Sequence, residues 1–362
     1  MAGDRRGERQ AKLRRRLEEL SLDALLVTHS PNIRYLTGFT GSAGLLLLTQ
    51  QRSALITDFR YAEQAPGETR GAADVLVEQR NLWDRLRATL SSGPRIRFGF
   101  ERDHLTVRDA ERLSGLAGAE PVPVSDLVEG LRCVKDPGEV AAIAGAAELA
   151  QAALAELLPT LRVGETERNI AARLEAGLRR RGSEWHPFRT IVASGPRSAL
   201  PHAQASERAV ARGEWLLLDF GAELDGYCAD LTRTLVLGAA ADSRQREVYE
   251  VVRAAQRKAL TELRPGMSGR EGDALARDVI SAAGFGDAFG HSLGHGLGLE
   301  VHEAPRLALT AQEALPAGAV VTVEPGIYLE GWGGVRLEDD VHLTPEGPRC
   351  LTDGRTELLE IH

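Results

Sequence analysis

The chain has 362 residues, of which 43% are hydrophobic and 27% are charged, values typical of a soluble globular protein. This length suits one large domain or two ordinary ones, and either can bury a substantial core. The formal net charge of −8 argues against nucleic acid as a partner, because a nucleic-acid-binding protein needs a basic face. The three cysteines have no C-x-x-C spacing and indicate no disulfide framework.

Apolar runs are short throughout the chain. The longest, such as GLLLLT, fall well below the roughly 20 residues of a membrane span. The N-terminal stretch MAGDRRGERQAKLRRR has no apolar core of the kind found in secretory signals. We therefore expect a cytoplasmic protein that does not associate with membranes.

The first part of the chain alternates between helix and strand patterns. In order, the predicted elements are the amphipathic helix ERQAKLRRRLEEL, the strands DALLVT, GLLLLT and SALIT, the helix FRYAEQA, the strand DVLVE, the helix LWDRLRATL and the strand RIRFGF. This alternation predicts a layered α/β domain with a mixed sheet over residues 1–130. The proline-containing segment AEPVPVSDLVEGLRCVKDPGEV is predicted to join it to a second domain, residues 131–362.

The second domain begins with two alanine-rich segments of high helix propensity, which predict helices at 138–158 and 166–181. From residue 185 onward the pattern changes to strands joined by tight turns. Two further helices, at 243–263 and 269–283, interrupt these strands. The whole chain is therefore of the α/β (α+β) class, and nearly all its chemically suggestive residues lie in this second part.

The segment EWLLLDFGAELDGYCADLTRTLVLG predicts a hairpin, because Asp225-Gly226 is a strong two-residue turn signal. If these residues form the turn, Asp219 faces Thr232, and Asp230 is the diagonal neighbour of Asp219 on the same face. Asp219 interrupts an apolar run, so it should be paired or bound to a metal. Two alternatives stay open: a surface hairpin with scattered acids, or a three-residue turn that moves Asp230 to the other face.

Three histidines lie in HSLGHGLGLEVHE, residues 291–303. The glycines around them disfavour a helix, and the alternation of Leu297, Leu299 and Val301 predicts a strand. The histidines are therefore predicted on a turn and on the strand that follows it. Taken alone, one such histidine is more simply explained as a structural residue than as a ligand.

A second predicted hairpin, AVVTVEPGIYLEGWGGVRLEDDVHL, carries Glu324 at the end of an apolar strand. After its turn, period-two alternation places Arg336 and Glu338 on one face. The residues that interrupt apolar or glycine-rich strands are Asp219, Asp230, His295, Glu324 and Glu338. Four carboxylates and one imidazole suit Mn²⁺ or Co²⁺, with Zn²⁺ also acceptable, and the four carboxylates would balance two divalent ions.

Together these segments resemble the pita-bread metallopeptidase family, in its proline-specific branch of Xaa-Pro dipeptidases (prolidases) and aminopeptidase P. The resemblance is carried by HSLGHGLGLEVHE, LLLDFGAELDGYCADLTRT, TVEPGIY and VRLEDDVHL, and by TIVASGPRSALPHAQAS, which resembles the segment with a catalytic-site histidine. SPNIRYLTGFTGSAG and ITDFRYAEQA resemble the creatinase-like N-terminal domain of these enzymes. SEWHPF and Arg197 look less typical, so the roles of Trp185-His186-Pro187 and Arg197 at the cleft rim stay open.

The resemblance implies a creatinase-like N-terminal domain followed by a pita-bread catalytic domain. It implies that Asp219 binds one metal ion, that His295 and Glu324 bind a second, and that Asp230 and Glu338 bridge the two. It also implies a cleft lined by the following residues: His202, His291, His302 and Arg336. In this interpretation Glu324 also passes a proton to the departing nitrogen.

The implied activity is hydrolysis of the Xaa-Pro bond by a dinuclear metal site. The compact length favours dipeptides as substrates, and the alternative is an aminopeptidase P that acts on longer Xaa-Pro peptides. A creatinase-like amidinohydrolase or a non-catalytic binding protein of the same fold would not need the complete ligand set. A methionine aminopeptidase would normally lack the N-terminal domain. The family also implies a homodimer, with a loop at about residues 30–42 closing the far end of the cleft.

Overall fold

The computed structural model describes residues 4–91, 96–115, 119–352 and 356–362. The chain separates into two compact units, Met1–Arg132 and Cys133–His362. In chain order the elements of the N-terminal unit are α1 (Arg6–Glu19), β1 (Ala24–Val27), α2 (Ser30–Thr37), β2 (Gly44–Thr49), β3 (Ser53–Asp58), α3 (Gln64–Thr69), β4 (Asp74–Glu78), α4 (Leu82–Ser91), β5 (Ile96–Glu101), α5 (Val107–Ser114), β6 (Ala119–Val124) and α6 (Glu129–Arg132).

The N-terminal unit is built on a sheet with the strand order β4-β3-β2-β1-β5-β6. Strand β1 pairs antiparallel with β2 and parallel with β5, so the predicted mixed sheet is confirmed. All four residues of β1 are buried, as expected for a central strand covered on both faces. The predicted strands DALLVT, GLLLLT, SALIT, DVLVE and RIRFGF correspond to β1 to β5.

Three predictions for this unit are wrong. AEPVPV is not a linker but strand β6, at the edge of the sheet. Proline has no backbone N–H, and an edge strand tolerates this because its outer side has no neighbouring strand to pair with. SPNIRYLTGFTGS is not simply a loop: Ser30–Thr37 forms α2, which ends at Gly38 in the left-handed conformation (φ 80°). FRYAEQA is not one helix, because a single 3₁₀ turn at Phe59–Tyr61 precedes α3.

The C-terminal unit contains α7 (Pro137–Leu157), α8 (Glu167–Arg180), β7 (Ile191–Ser194), β8 (Trp215–Phe220), β9 (Glu223–Leu224), β10 (Tyr227–Cys228), β11 (Leu231–Leu237), α9 (Ser243–Glu262), α10 (Gly269–Ala282), β12 (Gly294–Gly296), β13 (Glu303–Leu307), β14 (Val320–Val323), β15 (Gly326–Leu329), β16 (Gly333–Arg336), β17 (Asp339–Thr344), β18 (Gly347–Cys350) and β19 (Leu359–Ile361). The four predicted helices are confirmed as α7 to α10. Three of them, α7, α9 and α10, begin with capping boxes that satisfy their first backbone N–H groups.

Two larger sheets organise this unit, with the strand orders β19-β11-β8-β7 and β13-β12-β14-β17-β18. Helices α7 and α8 pack on the first sheet, where Leu216 and Leu218 join their apolar cluster. Helices α9 and α10 pack on the second sheet, where Val321 and Val323 do the same. Because side chains alternate along a strand, Asp219 on β8 points away from the helices that cover its sheet.

Helix α7 also has the length and apolar composition of a membrane-crossing helix. In the fold it packs against α8, and Ala146, Ala147, Ala150 and Ala153 are buried in the shared apolar cluster. This is the environment of a core helix.

Candidate functional site

The turn at Asp225-Gly226 sets the register that brings the first two acids together. Both residues have positive φ, 51° and 76°, as a two-residue hairpin turn requires. Leu224 pairs with Tyr227, and the same register continues to Asp219 opposite Thr232. The predicted hairpin is therefore confirmed, and Asp230 and Asp219 line the same cavity.

The glycine-rich histidine segment forms a shorter strand than predicted. Only Gly294–Gly296 is strand, and the strand predicted through Leu297, Leu299 and Val301 is wrong. Residues 297–302 instead form an irregular loop. A Cβ at Gly294 would lie 2.0 Å from the Thr322 carbonyl oxygen, and one at Gly296 would lie 2.1 Å from that of Ala304. These glycines allow β12 to fit closely between its neighbours.

Within that segment His295 lies on β12, while His291 precedes the strand and His302 ends the loop after it. The His295 Nδ1–H donates to the Gly296 carbonyl at 3.0 Å, which leaves the Nε2 lone pair free to face the carboxylates. Burial lowers the pKa of His295 to about 4, so the imidazole is neutral near pH 7, the form that binds a metal.

The second hairpin is formed by β15 and β16, with β14 before it and β17 after it. Arg336 ends β16, and Glu338 lies in the short connection to β17. The Glu338 N–H donates to the Thr232 carbonyl at 3.2 Å, and Thr232 Oγ1 donates to the Glu338 carboxylate. Glu338 is thus held against β11 of the other sheet.

A cavity of about 570 Å³ is lined by every site residue that was predicted from the sequence. Its lining includes Asp219, Asp230, His295, Glu324 and Glu338, together with His202, His291, His302 and Arg336. The distance from His295 Nε2 to Glu324 Oε1 is 3.4 Å, and that to Asp230 Oδ2 is 3.9 Å. One ligand atom each from Asp230, His295 and Glu338 lies within 4.8 Å of the others.

The electrostatics of this cluster fit cations. Burial, followed by repulsion from neighbouring carboxylates, raises the pKa values of Asp230 and Glu338 well above their ordinary range. Burial also raises the pKa of Glu324 to about 8. The buried Oδ1 atoms of Asp219 and Asp230 have no hydrogen-bond partner in the described part of the chain. Divalent cations would provide both the missing charge and the missing contacts.

A chain of hydrogen bonds runs along one wall of the cavity. Arg336 Nη1 donates to the Tyr328 hydroxyl at 2.7 Å, and this hydroxyl is 2.8 Å from His291 Nε2. His291 Nδ1 donates to the Ser292 carbonyl, so the Tyr328 hydroxyl is the donor to Nε2. Burial lowers the pKa of His291 to about 4, which agrees with a neutral acceptor. The second terminal nitrogen of the Arg336 guanidinium, Nη2, forms an ion pair with the Asp219 carboxylate.

Sequence reasoning missed Tyr328, which contacts two lining residues, and several residues of the lining itself. Tyr328 was quoted in TVEPGIY but given no role, although period two places it diagonally across the hairpin from Arg336. Arg306 also lines the cavity, directly opposite His295 on the paired strands β12 and β13. The other lining residues to which no role was assigned are Phe188, Arg189, Ile191, Pro201, Ala203, Gln204 and Ser292.

The less typical residues near the rim have structural contacts. Trp185 is 56% exposed and stacks on the ring of His186, with centroids 4.6 Å apart. Arg197 forms an ion pair with the fully buried carboxylate of Glu167, at 3.0 Å, and donates to the Gln204 carbonyl. Arg197 therefore ties the segment before His202 to helix α8 rather than lining the cavity.

A second group of potential ligands lies in the N-terminal unit, formed by His29, His104 and Glu129. The two imidazole rings stack face to face, with centroids 3.6 Å apart and planes 6° apart. Their in-plane lone pairs lie in parallel planes and do not converge on one point. Glu129 Oε1 already accepts from Asn32 Nδ2 at 2.5 Å. This group is not arranged to hold an ion, so the cavity of the C-terminal unit is the candidate centre.

A metal-dependent hydrolase requires a small-molecule cavity beside buried acids that can bind cations. The fold and the site of this protein meet that requirement and place it in this class. Metallopeptidase family M24 matches residues 141–345, and the Creatinase/Prolidase N-terminal domain matches residues 9–134. The chain belongs to metallopeptidase family M24 and is a metallopeptidase.

Relatives match over almost the whole chain. The solved structure of an Xaa-Pro dipeptidase from Bacillus anthracis is 40% identical and has a TM-score of 0.94, over 98% of this chain and 100% of that one. An X-Pro aminopeptidase structure from Thermotoga maritima is 38% identical, with a TM-score of 0.90 and coverage of 97% and 99%. An Xaa-Pro dipeptidase of Pyrococcus horikoshii is 34% identical, over 97% of this chain and 99% of its own length.

Proposed function

We propose that the protein hydrolyses the peptide bond before proline, in short peptides of the form Xaa-Pro, with two divalent metal ions. The observation that carries the proposal is the cluster of three buried carboxylates and the partly buried Glu324 around a neutral imidazole, with two orphaned carboxylate oxygens, in a cavity of peptide size. The names of the full-length relatives agree with this substrate class.

The ligands proposed for the two ions are Asp219, Asp230, His295, Glu324 and Glu338. Asp230 and Glu338 would be shared, as the resemblance to the family implies. After burial, the charge of Asp230 is the largest cause of the raised pKa of Glu338, and a shared cation would remove that repulsion. An oxygen-rich set with one imidazole suits Mn²⁺ or Co²⁺ and also accepts Zn²⁺. When bound, the ions would act as Lewis acids on the scissile carbonyl and supply a hydroxide nucleophile near neutral pH.

The bond before proline is a tertiary amide without an N–H, so the protein has no donor on the scissile nitrogen to bind. Its residues must act on the carbonyl and on the leaving nitrogen. His202 and His302 line the cavity and can donate hydrogen bonds to the oxygen on which charge develops. Glu324 lines the cavity and, as the resemblance to the family implies, would accept a proton from the attacking water and deliver it to the proline nitrogen.

We also propose that the protein is a cytoplasmic homodimer. The dimer is supported by the resemblance to its family, and the cytoplasmic location by composition and by the absence of paired cysteine motifs. Light scattering after gel filtration tests the first point: a mass of one chain at micromolar concentration would contradict it. Fractionation of the source cells tests the second.

The proposed activity is tested with chelator-treated protein to which Mn²⁺, Co²⁺ or Zn²⁺ is returned. We expect no turnover of alanyl-proline without metal and recovery with about two ions per chain. Alanyl-alanine is the matched control substrate, and its hydrolysis at an equal rate would contradict proline specificity. Alanyl-prolyl-alanine separates the two candidates, because efficient cleavage of this tripeptide would favour an aminopeptidase like the Thermotoga maritima relative.

A further inference from the structure

His202 differs from the other histidines of the cavity in what holds its side chain. His291 is held by hydrogen bonds at both ring nitrogens, and His295 donates to a backbone carbonyl. The ring of His302 contacts that of His295. The side chain of His202 is exposed and has no hydrogen-bond or ion-pair partner in the described part of the chain. Its position in the cavity therefore depends on the backbone that carries it.

The segment that carries it connects β7 to β8, and residues 195–205 are called the His202 loop below. The loop begins with a single 3₁₀ turn, Gly195–Ala199, and has no helix or strand after it. Residues 201–204 line the cavity. Ser198 accepts the Gly334 N–H at 2.8 Å near the start of the loop. Because such a segment lacks the repeated backbone hydrogen bonds of a helix or strand, separate contacts must hold it in one conformation.

One buried carboxylate binds the chain at both ends of this loop. Glu167, the first residue of α8, is 0% exposed. Its Oε1 accepts the N–H and the hydroxyl of Ser194, the residue before the loop, both at 2.8 Å. Its Oε2 accepts the N–H of Ser206, the residue after the loop, at 3.0 Å and the hydroxyl at 2.6 Å. Glu167 therefore fixes the two ends of the loop at a single point.

A third contact reaches the interior of the loop. Arg197 Nε donates to the Glu167 carboxylate at 3.0 Å, and Arg197 Nη2 donates to the Gln204 carbonyl at 2.5 Å. Gln204 follows His202 by two residues, so these hydrogen bonds extend from the carboxylate to a position beside the histidine. Helix α8 is itself held in place, because its apolar face is buried in the cluster that it shares with the first sheet. The loop is thus attached to a rigid element of the fold.

The negative charge of Glu167 suits this arrangement. An ionised carboxylate only accepts hydrogen bonds, and here both of its oxygens face donors. A glutamine of the same shape would present its NH₂ group, which is a donor, to the donors at one end of the loop. The backbone N–H at that end cannot reorient, so its hydrogen bond would be lost. The loop would then be fixed at one end only.

We propose that Glu167 is a positioning residue for catalysis, which holds the His202 loop closed so that His202 stays in place to bind the substrate oxygen. This inference rests on the proposed Xaa-Pro hydrolase function, in which His202 donates a hydrogen bond to the oxygen on which charge develops. Glu167 itself does not line the cavity and acts only through the loop.

The test begins with Glu167→Gln in the metal-loaded enzyme, with alanyl-proline as the substrate at pH 7. We expect kcat to fall by roughly 10- to 100-fold, the effect of displacing a catalytic group by about 1 Å. KM and the number of bound metal ions should change little, because no group that lines the cavity is altered. Ser206→Ala removes one donor at one end of the loop and should lower kcat in the same way, but less. It gives the same comparison if Glu167→Gln does not fold.

A double-variant cycle with His202→Ala separates positioning from a general structural role. If Glu167 acts through His202, adding Glu167→Gln to the His202→Ala enzyme should change kcat by less than roughly threefold. Equal losses of kcat in the two backgrounds would overturn the inference, as would an unchanged kcat in both Glu167→Gln and Ser206→Ala. Glu165→Gln is the matched control and should leave kcat unchanged. It removes a partly buried carboxylate close to the start of α8 that pairs with Arg173 instead of the loop.

Hydrogen exchange of the loop is a readout that does not depend on activity. Backbone amides of residues 195–206 should exchange faster in Glu167→Gln than in the parent, by roughly 10-fold or more, and at the parent rate in Glu165→Gln. Unchanged exchange in Glu167→Gln would mean that the carboxylate does not hold the loop, which also overturns the inference. If the parent does not hydrolyse alanyl-proline, the proposed function fails, and the exchange rates still decide whether Glu167 holds the loop.

Discussion

Lys135 and Glu303 form an ion pair in the interior of the C-terminal unit, with 3.2 Å between Nζ and Oε2 and side chains only 1% and 6% exposed. The other oxygen of Glu303 accepts the Glu300 N–H at 3.0 Å. Glu303 therefore closes the irregular loop that ends at His302 and fixes it to Lys135, two residues before the start of α7. The ring of His302 contacts that of His295, with centroids 4.3 Å apart.

Lys135→Met should destabilise the C-terminal unit by about 3–5 kcal/mol, because it leaves the Glu303 carboxylate buried without its partner. Turnover should fall more than metal content, since the loop that carries His302 loses its anchor. Urea unfolding measures the stability, steady-state kinetics the turnover, and elemental analysis the metal content. Lys258→Met, on α9, is the control and should change neither stability nor turnover by a comparable amount. If Lys135→Met is as stable as its parent, the ion pair does not hold the loop.

Asp230→Asn should abolish most of the activity while leaving the fold intact. The substitution removes one of the carboxylates that we propose to be shared between two ions, so bound metal should also decrease. In metal-free protein the variant should be at least as stable as the parent, because the buried carboxylates repel one another. Thermal unfolding with and without Mn²⁺ measures this. Near-normal turnover in Asp230→Asn would show that Asp230 does not bind metal.

His202→Ala and His302→Ala should each lower kcat by about 10²–10³ while the protein keeps its metal ions. The expected magnitude is that of removing one hydrogen-bond donor to a developing oxyanion. Elemental analysis beside steady-state kinetics distinguishes this role from ligation. Variants that lose a stoichiometric ion together with activity would make these histidines ligands instead.

Glu167→Gln should destabilise the protein at neutral pH by about 1.5–3 kcal/mol, the usual value for hydrogen bonds to a charged group. Burial acts to raise the pKa of Glu167, but hydrogen bonds from Ser206 and Ser194 outweigh it and lower the pKa below its ordinary value of 4.5. Because the folded-state pKa is lowered, the carboxylate stabilises the fold above about pH 4.5, and this contribution is lost as the pH falls further.

The difference in unfolding free energy between Glu167→Gln and its parent should therefore be full at pH 7 and shrink in acid. Urea unfolding at a series of pH values checks it. Glu156→Gln is the control, since Glu156 pairs with Arg180 and Arg181 on the surface and exposed ion pairs contribute little. A difference that stays constant down to pH 3 would mean that the charge of Glu167 does not stabilise the fold.

Local sequence patterns were sufficient to predict much of the candidate site. The Asp225-Gly226 turn favours positive φ at two successive residues, and this alone sets the register that places Asp219 and Asp230 on one face. Helices α7 and α8 followed from alanine content and helix propensity, which are properties of the residues within each segment. Such features depend on neighbours in sequence, so they can be predicted without the fold.

Other features depended on contacts between distant segments. Alternation of Leu297, Leu299 and Val301 predicted a strand, but the contacts of Glu303 with Lys135 and Glu300 bend that segment into a loop. AEPVPV was predicted to be a linker because proline is rare in strands, and only its place at the sheet edge makes a strand acceptable there.

The sequence by itself determined the set of acids and histidines, the register of the first hairpin and the family to which the chain belongs. The tertiary structure alone decided that Arg306 faces His295, that Tyr328 joins Arg336 to His291, and that Arg197 binds Glu167 instead of lining the cavity. The physical reason is that hydrogen bonds and ion pairs between side chains depend on distance in space, and strand pairing brings together residues that no local pattern connects.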